Sequence, residues 1–114
     1  MIGIDIVAVE RIERFVERFG KRGLRRFLNE EEIQTVKNSA SIAGLWAAKE
    51  AVSKALGCGI GKELGFHDIT IRKSDKGAPF FILSEEAKQR FSFTQSGLSI
   101  SHDGGFAIAV AVIL

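Results

Sequence analysis

Tyrosine is absent from this sequence, tryptophan and cysteine occur once each, and histidine occurs twice. Each shortage excludes something. A single cysteine, Cys58, cannot close a disulfide within the chain, and no basic-then-apolar leader precedes the first strand, so a cytoplasmic protein is expected rather than a secreted one. The longest apolar run, Phe106 to Leu114, is far too short to cross a bilayer as a helix. His67 and His102 form no zinc constellation with Cys58, and the thiol is read as passive. One Trp, no Tyr and a net charge of only +2 leave little for base stacking or a broad phosphate track, which counts against a nucleic-acid-binding module.

What is present is a globular composition. Nine phenylalanines supply large core side chains that need no buried hydrogen-bond partner. A chain of 114 residues has room for one hydrophobic core, so residues 1–114 are read as a single domain. A domain this small buries a modest share of its surface, and self-association is the natural route to more. Charge is uneven along the chain: seven basic residues lie between Arg11 and Arg26 (Arg11, Arg14, Arg18, Lys21, Arg22, Arg25 and Arg26) against two acidic ones, Glu13 and Glu17. That excess suggests an acidic partner.

The opening "MIGIDIVAV" alternates, with Ile2, Ile4 and Ile6 on one face and Gly3, Asp5 and Val7 on the other, as in a strand whose second face carries a carboxylate. Val9, Ile12, Phe15, Val16 and Phe19 follow at helical spacing, with Gly20 as the stop. Arg11, Arg14 and Arg18 share another stripe of that helix. Asn29 and Glu32 have the spacing of a capping box for a second helix, and its acidic first turn suits the helix dipole. Ser39 or Ser41 is expected to cap a third helix running to Leu56, where Gly57 ends it. "HDITIRK" and "APFFIL" read as strands about an "SDKG" turn, "SEEAKQRF" as a short helix capped by Ser84, and "LSISH" and "FAIAVAVIL" as strands about Asp-Gly-Gly. One strand, then helices, then mostly strands points to an α+β fold with a largely antiparallel sheet.

Chemistry concentrates in "LWAAKEAVSKALG". At about 100° per residue, Trp46, Lys49, Glu50, Ser53 and Lys54 fall in one sector, and Ala47, Ala48, Ala51, Val52, Ala55 and Leu56 fill the remainder. A solvated stripe held by a Glu50–Lys54 pair explains the charges, yet it has no use for Trp46 at its centre. Asp5, alone in an apolar strand, is either solvated or recruited; with Glu50 it offers two hard oxygen ligands suited to Mg²⁺. "GCGIGKELG" fails the P-loop pattern and reads as a helix stop and connector, with phosphate contact through backbone N–H groups as the lesser alternative. His102, at a strand end beside Asp103, is either an exposed turn residue or an imidazole aimed at a phosphate or nucleophile.

In chain order, "GIDIVAVERI", "LWAAKEAVSKALGCGIG", "FHDITIRKSDKGAP" and "LSISHDGGFAIAVAV" resemble the holo-acyl-carrier-protein synthases, the short phosphopantetheinyl transferases, over nearly the whole chain. The resemblance implies a Mg²⁺-dependent transfer of 4'-phosphopantetheine from coenzyme A to a serine of apo acyl carrier protein, releasing adenosine 3',5'-bisphosphate, in the service of fatty acid biosynthesis. It implies a homotrimer with active sites between subunits. Asp5 and Glu50 match the family's metal ligands, and Lys54 matches the lysine near the pyrophosphate. Gly57 and His102 are expected to contact the coenzyme. Arg11, Arg14 and Arg18 are expected to dock the acidic carrier protein, for which guanidinium geometry is suited. Lys49 is expected to be a structural or phosphate-proximal charge rather than a catalytic one. For the proton of the serine, Glu50, a metal-bound water and His102 are the candidates, and a water polarised by the metal and Glu50 ranks first. The chain departs from the family pattern at Leu45, where many relatives carry an arginine, and at Gly77-Ala78-Pro79, where Gly-Lys-Pro is commoner. A Mg²⁺-dependent phosphohydrolase using the same carboxylates is the rival reading, and it would release free phosphopantetheine.

Overall fold

The computed structural model describes residues 1–114 and shows which face of each strand is covered. In β1 (Ile2–Ala8), Val7 is buried, whereas Ile2, Ile4 and Ile6 are 71%, 58% and 58% exposed. β1 pairs antiparallel with β5 (Phe106–Ile113), which pairs antiparallel with β4 (Ser96–Asp103), giving the order β1-β5-β4. The β4–β5 turn uses Gly104 and Gly105 at φ 58° and 83°, the left-handed conformations that a two-residue hairpin with matching twist demands.

The covered face packs on α3 (Ser39–Ala55). Ala107, Ala109 and Ala111 of β5 and Ala47, Ala51 and Ala55 of α3 are all buried. Small side chains on both sides let helix and sheet approach closely. A methyl group at Gly3 would lie 2.0 Å from the Ala51 carbonyl oxygen and 2.5 Å from the Ala55 nitrogen, so only glycine fits there.

α1 (Val9–Leu24) runs past the expected stop. Gly20 does break the helix, at φ 58° and ψ −148°, but a further helical turn follows, because Leu24 is buried and carries the chain back to the core. α2 (Glu30–Thr35) starts as expected, with Glu32 Oε1 accepting from the Asn29 N–H at 2.7 Å. α3 is capped by Asn38 rather than by Ser39 or Ser41. Asn38 Oδ1 accepts from the Ser41 N–H at 2.9 Å, and Ser41 Oγ accepts from the Asn38 N–H at 3.1 Å.

A second, two-stranded sheet holds β2 (Ile69–Lys73) and β3 (Pro79–Leu83), joined through Gly77 at φ 87°. α4 (Glu85–Arg90) follows, with Ser84 Oγ accepting from the Ala87 N–H. No helix is long and apolar enough to cross a membrane.

Asp68 ties these pieces together. Its carboxylate accepts from the Ser84 hydroxyl at 2.7 Å and the Gly65 N–H at 2.9 Å, and the hydroxyl first, then the backbone N–H, hold its carboxyl below the ordinary value of 3.8. A carboxyl with a depressed folded-state pKa binds its proton more readily in the unfolded chain. Its stabilisation is therefore complete above the unfolded value, near pH ~4, and drains away as pH falls through the lower folded value. Melting temperature is expected to drop in that acid window, and Asp68→Asn is expected to flatten the drop while lowering stability at neutral pH. An unchanged acid limb in the variant would assign the effect elsewhere.

Candidate active site

The polar sector of α3 divides into two environments. Lys49 and Ser53 are fully buried, Trp46 and Glu50 are half-buried, and Lys54 is exposed. The close seam at Gly3 lays β1 along the second half of the helix, and Lys54 Nζ reaches across to the Ile4 carbonyl at 3.0 Å and Asp5 Oδ1 at 3.1 Å. The Glu50–Lys54 pair expected of a solvated stripe does not form; Asp5 takes the ammonium instead.

Burial pushes the Glu50 carboxyl above the usual carboxylate range, and the Asp5 carboxylate adds to that effect, while Lys54 and Arg11 oppose it. Asp5, Glu50 and Lys54 are thus electrostatically coupled within one chain. Asp5 and Glu50, close enough to act on each other, are two hard carboxylates, a donor set that suits Mg²⁺, which takes its other positions from phosphate and water.

Lys49 has a different environment. Its Nζ donates to Glu32 Oε1 at 2.8 Å, to the Phe27 carbonyl at 2.7 Å and to the Phe66 carbonyl at 3.2 Å. Desolvation pulls its pKa down, and Glu32 resists. Glu32 also accepts from the Ile71 N–H at 2.8 Å. Its capping role, read from the sequence, is real but is the smaller part of what it does.

His102 stands apart from this cluster within the chain. Its Nε2 lies 2.8 Å from the Ala40 carbonyl oxygen, and its ring packs on Gly44, where a methyl would come within 3.0 Å of Nε2. Gly44 and Glu50 are separated by roughly 9 Å along the helix at 1.5 Å per residue, and β4 and β1 lie two strands apart. His102 instead lines a cleft of about 520 Å³ with Leu45, Arg72, Lys73, Gly77 and Pro79. Leu45, the departure from the family pattern, therefore falls on the wall of that cleft. Arg72 and Lys73 carried no signal in the sequence beyond strand alternation. Arg72 is held by both carboxylate oxygens of Glu31, at 3.0 and 3.1 Å.

The Gly57 N–H is spent on the Lys54 carbonyl, and those of Cys58 and Gly59 on the Ser53 carbonyl. With Gly57 at φ 87°, this segment closes the helix, the first of the two readings its sequence offers. Burial, with Glu63 next, raises the Cys58 thiol, as befits an inert cysteine.

Arg11, Arg14 and Arg18 line a second groove, of about 310 Å³, floored by Phe15, Phe19 and Trp46. The Arg11 guanidinium sits 5.7 Å from the Trp46 ring centre and that of Arg18 5.2 Å from Phe19. Arg14 pairs with Glu10 one turn back. Arg11 also acts electrostatically on Glu50.

A family model for the 4'-phosphopantetheinyl transferase superfamily matches residues 1–111. The chain belongs to that superfamily, among its holo-acyl-carrier-protein synthases. The holo-[acyl-carrier-protein] synthase of a Nitratiruptor species is 59% identical over 114 residues, covering 100% of this chain and 98% of the relative. The Helicobacter pylori holo-[acyl-carrier-protein] synthase, solved in complex with coenzyme A, superposes with a TM-score of 0.96 at 55% identity over the whole of both chains. A holo-(acyl-carrier-protein) synthase from Bacillus anthracis, in complex with CoA (3',5'-ADP), gives a TM-score of 0.81 at 41% identity over 98% of this chain and 93% of its own. The protein is accordingly an enzyme, a phosphopantetheinyl transferase, and its α+β fold is that of the family.

Proposed function

We propose that this enzyme, as one domain spanning residues 1–114, transfers 4'-phosphopantetheine from coenzyme A to a serine hydroxyl of apo acyl carrier protein and releases adenosine 3',5'-bisphosphate. The observation that carries the proposal is the meeting of Asp5, Glu50 and Lys54 between β1 and α3, with Arg11 of the arginine-lined, aromatic-floored groove acting on Glu50.

Asp5 and Glu50 would hold Mg²⁺, which supplies neutralisation of the charge that builds on the pyrophosphate oxygens. The serine oxygen attacks the β-phosphorus, and the bond from that phosphorus to the departing adenosine phosphate breaks. Lys54, fixed by the Ile4 carbonyl and Asp5, places its ammonium where the leaving phosphate gathers charge. Glu50 would accept the serine proton through an intervening water.

The cleft with Arg72, Lys73 and His102 suits the phosphate-rich nucleotide end of coenzyme A. The exposed isoleucine face of β1 supports a homotrimer, which exposed apolar patches of this kind favour. Since Asp5, Glu50 and Lys54 all belong to one chain, what a neighbour adds to a shared site is His102 and the cleft. A cytoplasmic enzyme priming carrier protein for fatty acid synthesis follows from this reading.

The deciding experiment is the intact mass of a carrier protein after incubation with enzyme, coenzyme A and Mg²⁺. A gain of one phosphopantetheine is expected. Release of free phosphopantetheine with no gain in mass would instead make the protein a phosphohydrolase.

The groove has its own test. Arg14 lies on the exposed rim and gains little from its surface pair with Glu10. Arg14→Glu is expected to raise the KM for carrier protein by about tenfold, since a reversed rim charge acts on encounter and docking. Coenzyme A affinity, measured by titration calorimetry, should stay unchanged; an equal loss there would assign the groove to the nucleotide.

A further inference from the structure

Glu32 and Lys49 are the two fully buried charged side chains of the protein, and the mechanism above uses neither. Their hydrogen bonds run in two directions. Glu32 Oε2 holds the Ile71 N–H of β2 at 2.8 Å, and Ile71, Arg72 and Lys73 form one wall of the 520 Å³ cleft. Lys49 holds the carbonyls of Phe27 and Phe66, whose rings lie 5.0 and 4.9 Å from Trp46, centre to centre. Trp46 in turn floors the arginine groove beneath Arg11. Through the 2.8 Å bond between Glu32 and Lys49, the wall of the cleft and the floor of the groove are tied to each other and to the helix turn that carries Glu50.

Stability does not by itself require such a pair. Desolvating two charges offsets most of their attraction, and well-packed apolar residues often serve as well or better. What apolar residues cannot do is fix backbone groups from three separate segments at defined distances. We propose that Glu32 and Lys49 are positioning residues that fix, within each subunit, the wall of its cleft and the floor of its groove. The proposal rests on the reading above, in which the cleft takes coenzyme A and the groove takes the carrier protein.

The test is the double variant Glu32→Gln/Lys49→Met, which removes both charges and nearly preserves shape. It is expected to fold by circular dichroism, to show KM values for coenzyme A and carrier protein each raised about tenfold, and to change kcat by less than about threefold. Trp46, the sole tryptophan, should emit at longer wavelength and become more open to acrylamide quenching. A folded double variant with both KM values and the Trp46 emission of the wild type would overturn the proposal, and so would a rise in one KM alone. If the double variant does not fold, Glu32→Asp, which keeps the charge and shortens its reach by one methylene, is judged by the same readouts. In the wild type, coenzyme A alone should alter Trp46 emission, and its failure to do so also counts against the idea. Carrier modification by the wild type is scored in parallel. Its absence sinks the functional reading, whereas an active wild type beside an unperturbed variant sinks only the positioning role.

Discussion

Asp5→Asn and Glu50→Gln are each expected to lower turnover on the order of a hundredfold, equivalent to about 3 kcal/mol of lost transition-state stabilisation. Both substitutions nearly preserve volume, and neither site lies among the fully buried side chains, so circular dichroism and light scattering should match the wild type. In Asp5→Asn the Lys54 ammonium keeps its bond to the Ile4 carbonyl but loses its anionic partner. In Glu50→Gln the carboxyl that burial and Asp5 hold high is replaced by an amide that neither binds a cation well nor takes a proton. Excess Mg²⁺ or Mn²⁺ should restore part of the activity at most. Near-normal turnover with an unchanged metal requirement in both variants would remove the two-carboxylate site and the mechanism built on it.

Ile4→Glu should dissociate the proposed trimer. Ile2, Ile4 and Ile6 occupy successive outward positions on β1, and Phe106, 45% exposed, continues the patch on β5. In a single chain the Ile4 side chain meets mostly water, so the variant subunit should keep its fold. In a trimer closed through this face, each subunit would bury an unpaired carboxylate, at a cost of several kcal/mol. Light scattering should fall from trimer to monomer mass, and activity should fall with it. A wild type that is already monomeric, or a variant that stays trimeric, disposes of the proposed interface.

The strands were legible because their signal is local. Alternation in β1 needs nothing beyond a period of two, and the glycines at 77, 104 and 105 mark turns that their backbone angles require. Gly20 was legible as a break but not as a kink, since only the burial of Leu24 decides whether the helix resumes. Three neighbouring residues could cap α3, and the choice of Asn38 rests on a reciprocal bond with Ser41 that spacing alone does not single out. The family likeness named Asp5, Glu50 and Lys54 together, but the contact between Asp5 and Lys54 depends on how far the sheet sits from the helix. Glu32 stayed hidden for a different reason: a helix start explained it fully, so nothing in the sequence asked for its partner seventeen positions on. The cleft basics, Arg72 and Lys73, looked like ordinary outward strand residues until the hairpin was placed against α2 and β4.

The contact at Gly3 has a mechanical meaning. At Gly3 no strand side chain stands between the strand that bears Asp5 and the helix that bears Glu50, and the two backbones nearly touch there. Close-packed protein matter of this kind yields little to load. The gap between the two carboxylate-bearing elements is thus a stiff gauge, and heating or hydrostatic pressure will spend itself first on softer parts: the hairpin wall of the cleft, the arginine rim and the proposed seam between subunits. Activity lost under such stress should return when the stress is lifted, because the spacing that is hardest to rebuild is also the one least disturbed.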